Sequence, residues 1–350
     1  MSCFLRRASI AVALALLCYT PSYAVEFDND NGDGTWEQVT NWADDLLPDG
    51  NVAEIFLQDV NNPLPVVDGL PTVTLSSGNH SPTLLDLGGG GDDDLGDIQF
   101  LMTGGTLNLS QDSEIGNGSD SNLAMADYTA YFIQTGGDVI VTGGSGTDIK
   151  LSAGGDAIPM GSVYSIRGGS LQSSGTVDLG GGAPAAPVTH ASALFEIVGT
   201  GPTSIEIEDL KTDTAADVGT PIALGFVLDA GGVTPLVARD DVQMDGLGLE
   251  LGLSDVPPAG DIVLIQADRL SNDNQFIGLP DGSDVSADFG GNTYTWTINY
   301  FDSSDDTVIV DAVVLSNLRV SPAVPEPATV VLISVAGLLG LAVRRRAMAK

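Results

Sequence analysis

Any chemistry in this 350-residue chain would have to come from carboxylates. Asp and Glu number 47, against 12 Lys and Arg and two histidines, His80 and His190. Carboxylates set among glycines first suggest calcium. "GGGGDDDLG" from Gly88 fits the calcium-binding nonapeptide G-G-x-G-x-D-x-U-x at Gly88, Gly89, Gly91, Asp93 and Leu95. "GGSGTD" from Gly143 fits the first six positions and ends on Asp148, but Lys150 stands where the apolar residue belongs. That nonapeptide holds its ion between successive turns, so it works in tandem copies, and these two are not adjacent. No metal cofactor is expected. Asp93 and Asp148 are the carboxylates that would take Ca2+ if either copy were a site.

A second acidic stretch, "DNDNGDGTWEQVT" from Asp28, invites comparison with a helix–loop–helix calcium loop. In the best register Asn29, Asn31, Asp33 and Gly34 take positions 1, 3, 5 and 6. Position 12 is then Thr40, where a bidentate Glu is required. The stretch reads instead as an acidic turn. Catalysis finds no better footing. Neither a G-x-S-x-G elbow nor an H-E-x-x-H pair occurs. His80 and His190 lie in Ser/Thr/Pro contexts and read as surface residues. A polysaccharide lyase or hydrolase would need a groove gathering Lys150, Arg167 or His190 beside acids. The chain is expected not to be an enzyme.

The elements that would position such residues come next. Met1–Ala24 reads as a secretory signal: Arg6 and Arg7, an apolar run from Ala8 to Cys18, and Ser22-Tyr23-Ala24 before the cut. Signal peptidase would cleave after Ala24. Both cysteines, Cys3 and Cys18, would leave with that segment, so no disulfide or thiolate site is expected. Acylation of Cys18 is disfavoured by Leu17, where a small residue is needed. Between Val25 and Pro325 six basic residues face 46 acidic ones, a net charge of −40. Nucleic acid is excluded as a partner, because nothing would neutralise its phosphates.

The body repeats. "FLMTGGTLNLS" from Phe100, "FIQTGGDVIVT" from Phe132 and "YSIRGGSLQSS" from Tyr164 align without a gap, with glycine pairs beginning at Gly104, Gly136 and Gly168, 32 residues apart. Looser copies place Gly199 and Gly231 at nearly the same period. The runs flanking the glycines alternate and are too short for helices. A fixed period of this length filled with short strands predicts an all-β parallel solenoid of about 32 residues per coil. A β-sandwich of antiparallel hairpins is the alternative. The expected divisions are a signal peptide (1–24), an N-terminal cap with first strands (25–80), the repeat solenoid (81–235), a C-terminal β module (236–320) and a tail (321–350).

Two family resemblances bear on the ends. "GTWEQVTNWADDLLPDGNVAEIFL" from Gly34, with Trp36 and Trp42, resembles the opening module of autotransporter-like repeat proteins. Gly260-Asp261, the Phe276–Gly282 turn and Ile298-Asn299-Tyr300 resemble the closing module. Both imply a solenoid fold with the tryptophans as packing. In the tail, Pro325-Glu326-Pro327 precedes an uncharged run from Ala328 to Val343 and then Arg344-Arg345-Arg346. As a helix the run would reach about 24 Å, marginal for a bilayer core of roughly 30 Å. The arginines would stay on the cytoplasmic side. This order resembles the PEP-CTERM sorting signal. The resemblance implies an exosortase-type membrane protease as partner, transient anchoring in the inner membrane, and delivery to the cell surface or extracellular matrix. The functional expectation is a structural surface or matrix protein. An adhesin or glycan-binding solenoid that touches extracellular polysaccharide is the alternative.

Overall fold

The computed structural model describes residues 24–55, 64–88, 97–116, 129–143, 147–151, 161–180, 192–212, 222–270, 275–301 and 311–322. The signal segment before Ala24, the tail from residue 323, Asp93 and His190 lie outside them.

Strands are numbered in chain order. The first sheet runs in parallel through β4 (Leu70–Leu75), β7 (Ile98–Met102), β10 (Thr129–Gln134), β13 (Gly161–Ile166), β16 (Ala193–Val198), β19 (Ile222–Leu228) and β21 (Gly248–Leu253). A two-residue strand, β3 (Val66–Val67), pairs antiparallel with β4. The second sheet stacks β5 (Asn79–His80), β8 (Thr106–Leu109), β11 (Asp138–Val141), β14 (Gly169–Ser173), β17 (Pro202–Ile207) and β20 (Leu236–Val242). The third stacks β1 (Ala24–Glu26), β2 (Val52–Ile55), β6 (Leu84–Leu87), β9 (Ser113–Ile115), β12 (Ile149–Leu151), β15 (Thr176–Leu179), β18 (Asp209–Thr212) and the end of β20. Each coil contributes one strand to each sheet, giving a three-sided parallel β-solenoid of about six turns. The sandwich alternative is thereby overturned.

Register follows the sequence period. Phe100, Phe132, Tyr164 and Phe195 are cross-strand partners. Their rings stack inside the prism with centroids 4.9, 4.5 and 5.4 Å apart. Alternation puts Leu107, Val139, Leu171 and Ile205 of the second sheet into the same core. A buried polar pair beside the aromatic column is hydrogen-bonded. The Tyr164 hydroxyl donates to Gln134 Oε1 at 2.8 Å, and Gln134 Nε2 donates to the carbonyls of Gly137 and Ser170. Burial pushes the Tyr164 phenol well up.

Both ends are closed. At the N-terminal end Trp36 packs edge-on against Trp42 at 4.6 Å and against Phe100 at 5.4 Å, capping the aromatic column. The Trp42 indole donates to the Trp36 carbonyl at 2.8 Å. At the other end the pairing turns antiparallel. Strand β22 (Ile262–Leu270) pairs with β25 (Asp311–Pro322), which pairs with β24 (Asn292–Phe301), which pairs with β23 (Asp284–Phe289).

The glycine corners explain the period. A Cβ on Gly104 would meet the Ser76 carbonyl at 2.4 Å, on Gly136 that of Thr103 at 2.5 Å, and on Gly168 that of Thr135 at 2.3 Å. In the next coil the residue so placed is Gly201, 2.2 Å from the Arg167 carbonyl, rather than Gly199. Ile166 pairs with Ile197 but Gly169 with Pro202, so this corner is two residues longer than the one before it. A side chain there must push two coils apart. Gly136→Ala is expected to lower stability by about 2 kcal/mol or more. Gly260→Ala, where nothing lies within 4 Å, should stay within about 0.5 kcal/mol. Urea midpoints of the two variants check this, and equal midpoints would refute the corner account.

Candidate functional site

Several of the described carboxylates hold coils together. Asp49 Oδ1 accepts the Ser81 N–H at 2.7 Å, Asp97 Oδ1 that of Thr129 at 2.8 Å, and Asp209 Oδ1 that of Asp241 at 3.0 Å. Each bond spans 32 residues, one coil. Asp148 belongs to the same set. Its N–H donates to Asp112 Oδ1 at 3.0 Å, and its Oδ1 accepts the Thr176 N–H at 3.1 Å. Lys150 Nζ donates to Asp112 Oδ2 at 2.5 Å. The calcium reading of Asp148 thus meets a carboxylate already engaged by the following coil. Sequence reasoning missed this bracing, although acids one period before a Ser, Thr or Asp were its visible trace.

The acidic N-terminal loop is likewise turned on itself. Asn29 is fully buried at φ +50°, and its Oδ1 accepts the Gly34 N–H at 2.9 Å. Asp33 Oδ1 accepts from the Thr35 N–H at 2.9 Å and from Asn41 Nδ2 at 2.6 Å, while Asn31 Nδ2 donates to Asp33 Oδ2. Partial burial raises the Asp33 carboxyl, and these bonds outweigh it, leaving it below the ordinary Asp value. Among the described residues no group of three or more His, Cys, Asp or Glu is arranged to hold a metal ion.

His80 corrects the sequence reading. It is 6 % exposed, its Nε2 lies 3.1 Å from the Ser77 carbonyl, and its ring sits 6.0 Å from Trp36. Alternation in β5 sends it inward, in register with Leu107. Lys150 and Arg167 do not share a groove: Lys150 is on the third sheet with Asp112, while Arg167 follows β13 of the first and donates to Ser165 Oγ at 3.1 Å.

The third sheet carries a feature invisible without register. Glu26, Glu54, Asp86, Glu114, Lys150, Asp178 and Lys211 are successive cross-strand partners. At about 4.8 Å per strand, four carboxylates precede the first lysine. Burial raises the Glu54 carboxyl, whereas Lys211 is raised by its bond to Asp209 at 2.9 Å.

Glu37 closes the ladder at the N-terminal end. In later coils the corner N–H groups bond the preceding coil: Thr103 to the Leu75 carbonyl, Thr135 to Met102 and Arg167 to Gln134. For Ser76 and Ser77 the acceptor is Glu37 Oε1, at 2.7 and 2.6 Å from their nitrogens and 2.9 Å from Ser76 Oγ. Partial burial pushes this carboxyl up. Hydrogen bonds from its own backbone and from both serines outweigh that, so it stays below the ordinary Glu value.

A family model described as the PEP-CTERM protein-sorting motif matches residues 323–346. That span holds Pro325, Glu326, Pro327 and Arg344 to Arg346. No curated protein and no solved structure matches the chain. Among the described residues no helix is long and apolar enough to cross a membrane; the expected tail helix lies outside them. The chain thus joins a β-solenoid body to a PEP-CTERM sorting motif, the mark of an exported protein sorted by an exosortase, a membrane protein.

Glu37 and Glu54, shifted in opposite directions, predict opposite responses to acid. Glu37, depressed in the folded state, contributes stability above the ordinary Glu pKa that is lost as pH falls through its folded value. Glu54, raised, favours the protonated folded state, so its ionisation costs stability as pH rises past the ordinary value. Glu37→Gln should therefore lower the melting temperature at pH 7 and flatten its fall below pH about 4.5. Glu54→Gln should raise it slightly at pH 7. Thermal melts from pH 3 to 7 separate the two, and the same sign for both would refute the assignment.

Proposed function

We propose that this protein is an exported, non-enzymatic structural solenoid that the tail hands to the cell surface or extracellular matrix. The observation that carries the reading is the sorting motif joined to a rod of stacked coils. A parallel solenoid is stiff because every backbone edge within the stack is paired to the next coil. Many of its described charges brace coils or lie in solvent, and the excess of acid over base keeps the rod soluble and self-repelling. Repulsion of this kind suits a matrix component that must stay dispersed until its tail has been processed.

Burial of the aromatic column weighs against the glycan-binding alternative. Phe100, Phe132 and Tyr164 are 0–2 % exposed, so the repeat's aromatics are not a stacking platform for sugar rings.

In this reading the tail is a temporary anchor with Pro325-Glu326-Pro327 at its outer edge. Intact mass spectrometry of the exported protein should find a C-terminus that lacks Arg344 to Lys350. Replacing Pro325 and Glu326 with Ala should leave the full-length chain in the membrane fraction. An exported protein that retains its last seven residues would sink the sorting reading.

A further inference from the structure

The last strand runs straight into the motif. β25 ends at Pro322, and the matched segment begins at residue 323. Pro325 is three peptide steps beyond the sheet, a reach of about 10 Å at most. An enzyme that handles Pro325-Glu326-Pro327 must therefore work against the folded body. What it meets there is half of a strand. Ala312–Leu315 is held on both sides, by β22 and by β24. From Ser316 onward, among the described residues, only β24 pairs with it, and Arg319 to Pro322 are exposed.

The free edge can be assigned atom by atom. The Gly290-Gly291 turn has positive φ at both residues and is closed by Phe289 and Asn292. Such two-residue turns are closed by a hydrogen-bonded pair. Alternation then directs the polar groups of Asn292, Tyr294, Trp296 and Ile298 toward β23, and the Ile298 N–H does reach the Ser283 carbonyl at 2.9 Å. Thr293 and Thr295 bond the other way, to Ser321 and Arg319. The N–H and C=O of Val320 accordingly face away from the sheet, beside a side chain that is 54 % exposed.

Two devices bracket this edge. At one end Asn317, at φ +57°, forms a bulge in which β25 places two residues opposite Trp296. At the other, Pro322 offers no N–H. Bulges and edge prolines stop open-ended pairing between copies. What remains is a window from Leu318 to Ser321, too short to zip two solenoids together but long enough for a bond or two to a partner's extended segment.

We propose that this window is a docking edge for the exosortase-type enzyme, which engages the folded strand by β-augmentation while acting on the motif a few residues on. The inference rests on the sorting reading given above. Folded body and motif would then be recognised as one substrate, so a chain whose last strand has not closed would be a poor one.

Conversion of precursor to the tail-free form can be followed by pulse–chase and intact mass spectrometry in a host carrying the enzyme. Val320→Pro removes the outward N–H without removing a bond to β24. Inserting a flexible Gly/Ser segment of about ten residues after Pro322 keeps edge and motif but uncouples them. Each should slow conversion by about fivefold or more, with the inserted chain melting as wild type does. Wild-type or faster conversion of the inserted chain overturns the docking edge, whatever Val320→Pro does to folding. Retention of Arg344 to Lys350 by the unaltered protein overturns the sorting reading and the docking edge together.

Discussion

Every residue in the stack lies against its own counterpart one coil away. A parallel ladder at a fixed offset allows nothing else, and the rest of the structure is a response to it. Where the counterparts are apolar and inward, the constraint stabilises: Phe on Phe on Tyr on Phe is a continuous column with no gap to fill. Where they are glycine, it lets one corner nest into the carbonyl of the corner before it. Where they are acidic and outward, carboxyl groups fall about 4.8 Å apart, as on the third sheet from Glu26 to Glu114.

The same rule makes the ends special. An interior coil satisfies its corner N–H groups with the carbonyls of its neighbour, while the first coil has no such neighbour. A carboxylate, Glu37, substitutes for a strand of backbone, and two tryptophans substitute for the missing aromatic rung. At the far end the chain changes from parallel to antiparallel pairing, so that β22 is covered by later residues of the same chain rather than by another coil.

Much of this was legible in the sequence because stacking is periodic. The glycine pairs at Gly104, Gly136 and Gly168 gave coil length and register at once, while only the structure turned the aligned aromatics inward. Gly199 misled, because the corner there is two residues longer and Gly201 does the packing. His80 misled as well. Its Ser/Thr/Pro setting is that of a loop, but two residues of strand suffice to turn it inward beneath Trp36. The role of the carboxylates was hidden for a different reason. A bond from Asp49 to Ser81, or from Asp148 to Thr176, joins residues that only register brings together, and short motifs look along the chain rather than across it. The sorting tail was legible for the converse reason: its three parts are contiguous, and the match to residues 323–346 needs no fold at all.

A coil in the middle of this body touches only the coil before and the coil after, and both closures are built from sequence outside the repeats. Adding or deleting a whole coil would leave the tryptophan lid, the antiparallel end and the exit strand untouched, and would change the axial length in steps of about 4.8 Å. The body is in this sense a ruler with interchangeable graduations. Selection on how far the two ends stand apart could act by duplication alone, with no new surface to invent.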